Sequence, residues 1–190
     1  MLDRKVKVAI AGYGVIGKRV AAATVLQDDM ELVGVADVAS DWRLRAAQQK
    51  GVRVFSAIDA QADAMRQAGI EIAGNLNDLL DDADIVVDCT PKRVAAKNVP
   101  LYKERKLKFI VQGGEAHQVA GHSFVAEATY ESAFGKDATR VVSCNTTSIV
   151  RTLSALKRAG LLKRARGTLL RRATDPWESH EGGIMNTLVP

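Results

Sequence analysis

The sequence predicts an α/β fold in which a doubly wound parallel sheet is followed by the incomplete start of an α+β domain. Strand-like and helix-like segments alternate from residue 5 to about 112, and this alternation is typical of a parallel sheet with helices on both faces. The first strand-like segment runs directly into a glycine-rich loop that opens a helix-like segment. Hydrophobic residues make up 47% of the 190 residues, so the chain can bury a full core.

Each predicted element rests on its own composition. Strands are predicted where short apolar runs are rich in β-branched residues, in order at 5–11, 31–36, 52–55, 84–88 and 107–111, with further candidates at 122–128, 140–143 and 166–174. Helices are predicted between these runs, in order at 18–26, 42–50, 60–68, 76–80, 92–105 and 147–159. Gly69 and Gly160 end two of these helices, and Pro100 is expected to break or kink another.

Charge and cysteine content narrow the function classes. The net charge is +5 with both signs mixed along most of the chain, which favours an anionic small ligand and makes nucleic acid an unlikely partner. Cys89 and Cys144 are too few and too far apart for a disulfide framework. No apolar run reaches the roughly 18 residues that span a membrane, and the first residues do not form a secretory signal. We therefore expect a cytoplasmic protein with no membrane partner.

The loop Gly12-Tyr13-Gly14-Val15-Ile16-Gly17 follows the first predicted strand and opens the first predicted helix. In this G-x-G-x-x-G pattern the first glycine permits a tight turn, the second lets the backbone approach a pyrophosphate, and the third lets helix and strand pack closely. The anion would bind free N–H groups at the positive end of the helix. The loop predicts a dinucleotide-binding site, with a purely structural turn as the alternative.

The dinucleotide-binding domain is predicted at 1–139 and the start of a catalytic domain at 140–190, because the pattern of elements changes near residue 140. Asp37 lies 20 residues after Gly17 and closes the second predicted strand, where an acidic residue accepts hydrogen bonds from the ribose hydroxyls. A carboxylate there repels a 2′-phosphate, which favours NAD and leaves NADP possible. Arg43 and Arg45 lie close enough in sequence to keep that choice open.

Cys144 lies in the stretch VVSCNTTS, where a predicted strand meets a predicted helix. The positive end of a helix dipole favours the thiolate form of a cysteine, and free N–H groups there can hold an oxyanion. Both properties suit a covalent thiol nucleophile. A buried cysteine is the alternative of equal weight, and burial at a strand end is the favoured interpretation for Cys89.

Other candidates carry weaker signals. His117, His122 and His180 are possible bases, although a hydrogen-bonded or exposed histidine is the more common state. Arg151 to Thr174 contains eight lysines or arginines and no acid, which predicts a solvated basic face. Phosphate binding by Arg171 or Arg172 is the sharper alternative for that segment. A nucleic-acid surface is a third alternative, which the lack of interleaved aromatic residues disfavours.

Six stretches of the sequence together resemble the archaeal-type (type II) phosphorylating glyceraldehyde-3-phosphate dehydrogenases. The stretches run in the family's order and are AGYGVIGKRVA at 11–21, DIVVDCTP at 84–91, AKNVPLY at 96–102, QGGEAHQVAGHSFVA at 112–126, RVVSCNTTS at 140–148 and RRATDP at 171–176. Asn145 between Cys144 and the threonine pair matches the family's nucleophile motif. Ser148 stands where glycine is usual, and Asp37 stands where many members carry lysine, which fits the preference for NAD.

The resemblance implies a Rossmann domain, a catalytic domain, NAD or NADP as oxidant, and a homotetramer. It also implies glyceraldehyde 3-phosphate and inorganic phosphate as substrates, with a thioester on Cys144. Ser143 and Asn145 would then line the substrate site. The implied cofactor contacts are Gly14, Val15, Ile16, Gly114 and Arg172, and we expect Thr90 of DIVVDCTP in the same cleft.

The resemblance covers the N-terminal half of the family and predicts that the basic histidine assisting Cys144 lies beyond Pro190. We therefore expect the isolated chain to turn over poorly. Two alternatives stay open: a related semialdehyde or acyl-phosphate dehydrogenase, and a non-catalytic dinucleotide-binding module. No metal ligands are predicted.

Overall fold

The computed structural model of the protein describes residues 4–112 and 114–169. Seven parallel strands form one sheet in the order β3-β2-β1-β4-β5-β7-β6. The strands are β1 (Val6–Ala11), β2 (Met30–Asp37), β3 (Val54–Ser56), β4 (Ile85–Asp88), β5 (Lys108–Val111), β6 (Ser123–Phe124) and β7 (Ala138–Val141). The prediction of a doubly wound parallel sheet is confirmed.

Helices connect these strands. They are α1 (Val15–Val25), α2 (Trp42–Gln49), α3 (Ala62–Gln67), α4 (Leu76–Asp81), α5 (Ala95–Glu104), α6 (His117–Ala120), α7 (Ala126–Thr129) and α8 (Cys144–Arg158), with short 3-10 turns at Asp59–Gln61 and Glu131–Ala133. Pro100 lies inside α5, which continues through it. None of the helices in the described ranges is long and apolar enough to cross a membrane.

The direction of chain winding reverses at the centre of the sheet. From β1 the chain moves outward through β2 to β3, and it then returns to the other side of β1 to form β4 and β5. In such sheets ligands bind at the carboxyl ends of the strands, at the point where the order reverses. The fold therefore places a cleft beside the carboxyl ends of β1 and β4.

The core has two parts because side chains alternate between the faces of a strand. Ala9 and Ala11 of β1 belong to a buried cluster that includes Tyr102 of α5. Ile10 belongs to a second cluster, which includes Leu44 of α2 and Met65 of α3. Both faces of the central strand are therefore covered, as expected for a doubly wound sheet.

Two strand predictions differ from the structure. The run 122–128 forms only the two-residue strand β6, because the Val125 N–H donates to Thr129 Oγ1 (2.9 Å) and the chain turns into α7. Residues 166–169 are not in a strand, and the rest of that predicted strand lies outside the described residues.

The chain divides into two compact units, residues 1–151 and 152–190. The first unit contains the whole sheet. The part of the second unit that is described, 152–169, contains the end of α8 and irregular backbone. β7 spans the predicted domain boundary between 139 and 140, and that boundary stays a prediction.

Candidate active site

The glycine loop is built by close backbone approaches. Gly12 has φ +86°, a left-handed conformation that favours glycine, and its N–H donates to the Ala36 carbonyl at 2.7 Å. A Cβ on Gly12 would lie 2.9 Å from the backbone between Cys89 and Thr90, and one on Gly17 would lie 1.9 Å from the Gly12 carbonyl oxygen. Side chains are thus excluded at the first and third glycines by packing.

Gly14 differs from the other two glycines because a Cβ there would meet nothing within 4 Å. It is the N-cap of α1, and no side chain caps that helix. Val15 and Ile16 follow in the first turn, with exposures of 36% and 45%. No side chain thus occupies the first N–H groups of α1, and an uncapped helix start is the environment that an anion such as a pyrophosphate requires.

Asp37 holds the glycine loop onto the end of β2. Its Oδ2 accepts from the Tyr13 N–H at 2.5 Å, and its Oδ1 accepts from the N–H groups of Val38 and Ala39 at 2.7 and 2.9 Å. A carboxylate offers about four acceptor positions. Three are used by these N–H groups, so about one acceptor position remains, on Oδ2. The sequence predicted bonds to both ribose hydroxyls, whereas this geometry leaves room for one.

Asp88, at the end of β4, is fully buried and organises the neighbouring loop. Its Oδ1 accepts from the Thr90 N–H (2.9 Å) and hydroxyl (2.5 Å), and its Oδ2 accepts from Asn98 Nδ2 (3.0 Å) and the Tyr102 hydroxyl (2.7 Å). Because the Thr90 hydroxyl hydrogen is used by Asp88, the hydroxyl can offer only acceptor positions to a ligand. Sequence reasoning missed this group, although an acid that ends the apolar run DIVVD was a usable signal.

The segment after β5, which contains Gly114 and Glu115, is held by hydrogen bonds from the loop before α5 and from β7. Gly114 has φ +77°, and Glu115 is 4% exposed, with Oε1 accepting from the Arg93 N–H at 2.6 Å. Arg140 of β7 donates from Nη1 to the Glu115 carbonyl (2.7 Å) and from Nε to the Ser123 hydroxyl (2.8 Å). Arg140 therefore ties the strand that leads to Cys144 to the Gly114 segment, a link that sequence reasoning also missed.

Cys144 is exposed and is the first residue of α8. Ser143 caps the helix: its Oγ accepts from the Thr146 N–H at 3.2 Å, and its carbonyl accepts from the Thr147 N–H at 2.9 Å. The predicted position at a helix start is therefore confirmed, and a buried cysteine is excluded here. Asn145 lies beside Cys144 in the first turn and is half-buried.

Cys89 has the opposite environment. It is half-buried, and Gln112 Nε2 lies 3.4 Å from its Sγ. Burial, followed by the charge of Asp88, raises the pKa of the Cys89 thiol to about 12. The thiol is therefore protonated at neutral pH and cannot serve as the nucleophile, which agrees with its interpretation as a strand-end residue.

Two of the three candidate bases can be located. His117 Nδ1 lies 2.9 Å from the Ser123 hydroxyl, and His122 lies 2.7 Å from the Thr139 hydroxyl and 3.0 Å from that of Ser132. Both imidazoles are thus engaged by hydroxyl groups. His180 and the predicted cofactor residue Arg172 lie outside the described residues.

The structure brings most of the predicted site to one edge of the sheet. The glycine loop, Asp37, Thr90 and Gly114 follow the carboxyl ends of β1, β2, β4 and β5, and Cys144 follows that of β7, next to β5. Strands are about 4.8 Å apart, so Cys144 lies on the order of 15 Å along this edge from the loop after β1. Residues 4–112 and 114–169 contain no cluster of three or more side chains suited to a metal ion.

Residues 6–118 match the family described as dihydrodipicolinate reductase, N-terminus. Among curated proteins, the chain is similar to glyceraldehyde-3-phosphate dehydrogenase of Methanococcoides burtonii, with 50% identity over 98% of this chain and 55% of that protein. The enzyme of the same name from Methanothermus fervidus is 47% identical over 96% of this chain and 54% of its own length. The chain spans about half the length of these relatives.

Solved structures share the fold at low identity. The WlbA dehydrogenase from Bordetella pertussis, in complex with NADH and UDP-GlcNAcA, has a TM-score of 0.53 and 21% identity over 84% of this chain and 40% of that one. Aspartate semialdehyde dehydrogenase II from Vibrio cholerae has a TM-score of 0.54 and 13% identity over 82% and 47% of the two chains. The similarity to these two solved dehydrogenase structures is a similarity of fold.

Proposed function

The chain belongs to the family described as dihydrodipicolinate reductase, N-terminus, and its likeness to archaeal glyceraldehyde-3-phosphate dehydrogenases is confirmed; from this premise we propose that it carries the dinucleotide site and the reactive thiol of such an enzyme. The observation that carries the proposal is the pairing of an uncapped helix behind Gly14 with an exposed Cys144 at the same edge of the sheet.

The dinucleotide is NAD, with NADP as the second possibility. Its pyrophosphate binds at Gly12, Gly14 and Gly17 and at the first N–H groups of α1, where Val15 and Ile16 begin the helix. Asp37 accepts one ribose hydroxyl through Oδ2. Thr90, Gly114 and Arg172 complete the proposed cofactor contacts.

The reaction is the oxidative phosphorylation of D-glyceraldehyde 3-phosphate to 1,3-bisphosphoglycerate. Cys144 Sγ adds to the aldehyde carbon and forms a hemithioacetal. A bound dinucleotide would supply the hydride acceptor that oxidises this carbon to a thioester on Cys144. Attack by inorganic phosphate on the thioester carbon would then break its bond to Sγ, releasing 1,3-bisphosphoglycerate and returning the thiol. Ser143 positions Cys144 by capping α8, while Asn145 and the first N–H groups of the helix are placed to hold the developing oxyanion.

We assign neither described histidine as the base for this thiol: hydroxyl groups engage both ring nitrogens of His122, and the Ser123 hydroxyl engages Nδ1 of His117. The proposal includes the cytoplasmic setting expected from the sequence and the homotetramer that the resemblance implies for the full-length family. Mass measurement under native conditions tests that assembly.

The dinucleotide site is tested by two alanine substitutions in the glycine loop. Gly14→Ala places its Cβ in open space, so the variant should fold. The added Cβ would obstruct the approach of the pyrophosphate, so NAD binding should weaken by at least roughly tenfold. Gly17→Ala should instead destabilise the fold, because its Cβ would overlap the Gly12 carbonyl. Calorimetric titration and thermal unfolding measure the two effects.

Gly167→Ala is the matched control, since its Cβ also meets nothing within 4 Å and it lies far along the chain from the loop. Normal NAD binding by Gly14→Ala would contradict the proposed pyrophosphate site.

The thiol chemistry is tested by rapid mixing of the chain with glyceraldehyde 3-phosphate and NAD, followed by NADH absorbance. We expect a slow NADH signal of no more than one equivalent per chain without phosphate. Adding phosphate should extend it into slow turnover, and Cys144→Ser should show no signal. An equal signal with aspartate semialdehyde would favour the semialdehyde dehydrogenase alternative. NAD binding without any NADH signal would favour the non-catalytic module.

A further inference from the structure

Beside the proposed ribose site, Asp41 and Arg43 form a closed ion pair at the start of α2. Arg43 Nε lies 3.0 and 2.8 Å from the two carboxylate oxygens of Asp41, and Nη2 lies 2.5 Å from Oδ2. Asp41 is also the N-cap of α2, because its Oδ1 accepts from the Arg43 N–H at 2.9 Å. The guanidinium is therefore held against the helix start by contacts to both oxygens.

This pair lies near Asp37. The chain leaves β2 at Asp37 and reaches the N-cap four residues later. The Asp41 hydrogen bond, and to a smaller extent the charges of Asp41 and Asp37, raise the pKa of Arg43. Lys18 is also near, with Nζ 5.5 Å from the centre of the Trp42 ring. Two carboxylates and two cations therefore lie near one another at the start of α2.

The position of Arg43 matters because arginines after the second strand of such folds accommodate the 2′-phosphate of NADP. Here the donors Nε and Nη2 face Asp41, and the charge of the guanidinium is offset by that carboxylate. A 2′-phosphate would also meet the negative charge of Asp37. Arg45 is directed elsewhere, since its Nη1 donates to the Ala68 carbonyl at the end of α3 at 2.9 Å.

We propose that Asp41 is a specificity-determining residue, which disfavours NADP by neutralising and orienting Arg43; the inference rests on the proposed dinucleotide site. The carboxylate acts in two ways. It adds a negative charge near Asp37, the proposed ribose contact, and it engages Arg43, whose guanidinium fork could otherwise bind a phosphate bidentately.

Asp41→Asn tests the inference without removing the cap, since asparagine caps helices as well as aspartate does. Titration of the full chain with NAD and NADP should show NADP binding tighter by on the order of tenfold, because one repelling charge is lost and Arg43 gains a free charge. NAD binding should change by about twofold at most, because NAD has no 2′-phosphate. The NADP gain should shrink as salt is raised, since exposed charges are screened.

The double variant Asp41→Asn/Arg43→Gln should not show the gain in NADP affinity, because the cation that provides this gain is absent. Asp81→Asn is the matched control: it breaks another Asp–Arg ion pair, Asp81 Oδ1 to Arg105 Nε at 3.0 Å, at the opposite edge of the sheet. Unchanged NADP affinity in Asp41→Asn, or a gain that persists in the double variant, overturns the inference. Failure of the unsubstituted chain to bind NAD overturns the proposed dinucleotide site itself.

Discussion

At the scale of single residues, the two cysteines differ in burial, which the sequence favoured for Cys89 and left open for Cys144. Cys89 and Cys144 both follow strands and both precede polar residues. Packing against the core gives Cys89 a thiol with a pKa of about 12, whereas Cys144 is exposed at a helix start. The thiol available for chemistry is therefore selected by the environment that the fold creates.

This contrast predicts selective alkylation. At pH 8 only about one Cys89 thiol in 10⁴ is ionised, given its raised pKa, and the thiolate is the reactive form. Iodoacetamide should therefore label the native chain at Cys144 and leave Cys89 unmodified, as peptide mass mapping would show. Cys144→Ser should take up no label while folded and one label in urea. Equal labelling of both cysteines in the native chain would refute the assignment.

At the scale of elements, the Asp88 carboxylate connects β4, the following loop and α5. Two of its four donors come from Thr90, and the other two, Asn98 and Tyr102, are one helical turn apart on α5. The same loop lies against Gly12. A helix on one face of the sheet thus helps to fix the floor of the proposed dinucleotide cleft.

Tyr102→Phe is predicted to destabilise the fold by about 1–3 kcal/mol, because it leaves one buried oxygen of Asp88 with one donor fewer. Urea unfolding measures this change. Tyr130→Phe serves as the control, since Tyr130 is 56% exposed. A loss below about 0.5 kcal/mol, the usual range for surface changes, would show that the Asp88 network contributes little.

At the scale of the whole molecule, ion pairs gather at the amino-terminal edge of the sheet, opposite the proposed site. Arg4 pairs with Asp84 at 2.6 Å, and Asp82 pairs with Lys7 and Arg53 at 2.9 Å each. The carboxyl edge instead presents uncapped N–H groups behind Gly14. Apart from the Asp41–Arg43 pair at the start of α2, ion pairing is therefore concentrated at the amino-terminal edge, while the carboxyl edge keeps the uncapped N–H groups of α1 for a ligand.

Stability at acidic pH should depend on Asp84. The hydrogen bond from Arg4, with a further one from the Lys7 N–H, lowers the pKa of Asp84 from 3.8 to about 2. Because the pKa is lowered in the folded state, this stabilisation is complete above pH 3.8 and is lost as pH falls towards 2. After allowance for solvent screening, Asp84→Asn should lower the free energy of unfolding by about 1 kcal/mol at pH 7.

That difference should narrow between pH 3.8 and 2, as urea unfolding at several pH values would measure. Asp63→Asn, which removes the exposed partner of Arg66, is the control and should show little effect at any pH. A difference for Asp84→Asn that stays constant down to pH 2 would contradict the linkage.

Much of the fold and part of the site follow from the sequence because they depend on neighbours in the chain. Apolar runs determined the strands β1 to β5, the spacing of Gly12, Gly14 and Gly17 determined the loop, and the interval to Asp37 determined its place at the end of β2. The run 122–128 was predicted less well, because the Thr129 hydroxyl binds the Val125 N–H and ends the strand early.

Tertiary structure decided what depends on residues far apart in the chain. The order of strands puts β7 beside β5, and with it Cys144 at the edge that carries the glycine loop. The fold also leaves Cys144 exposed, which the sequence had not decided, and helix α5 supplies half of the donors to Asp88. These features could not be read from local patterns, because desolvation and hydrogen bonding are set by whichever groups the folded chain brings together.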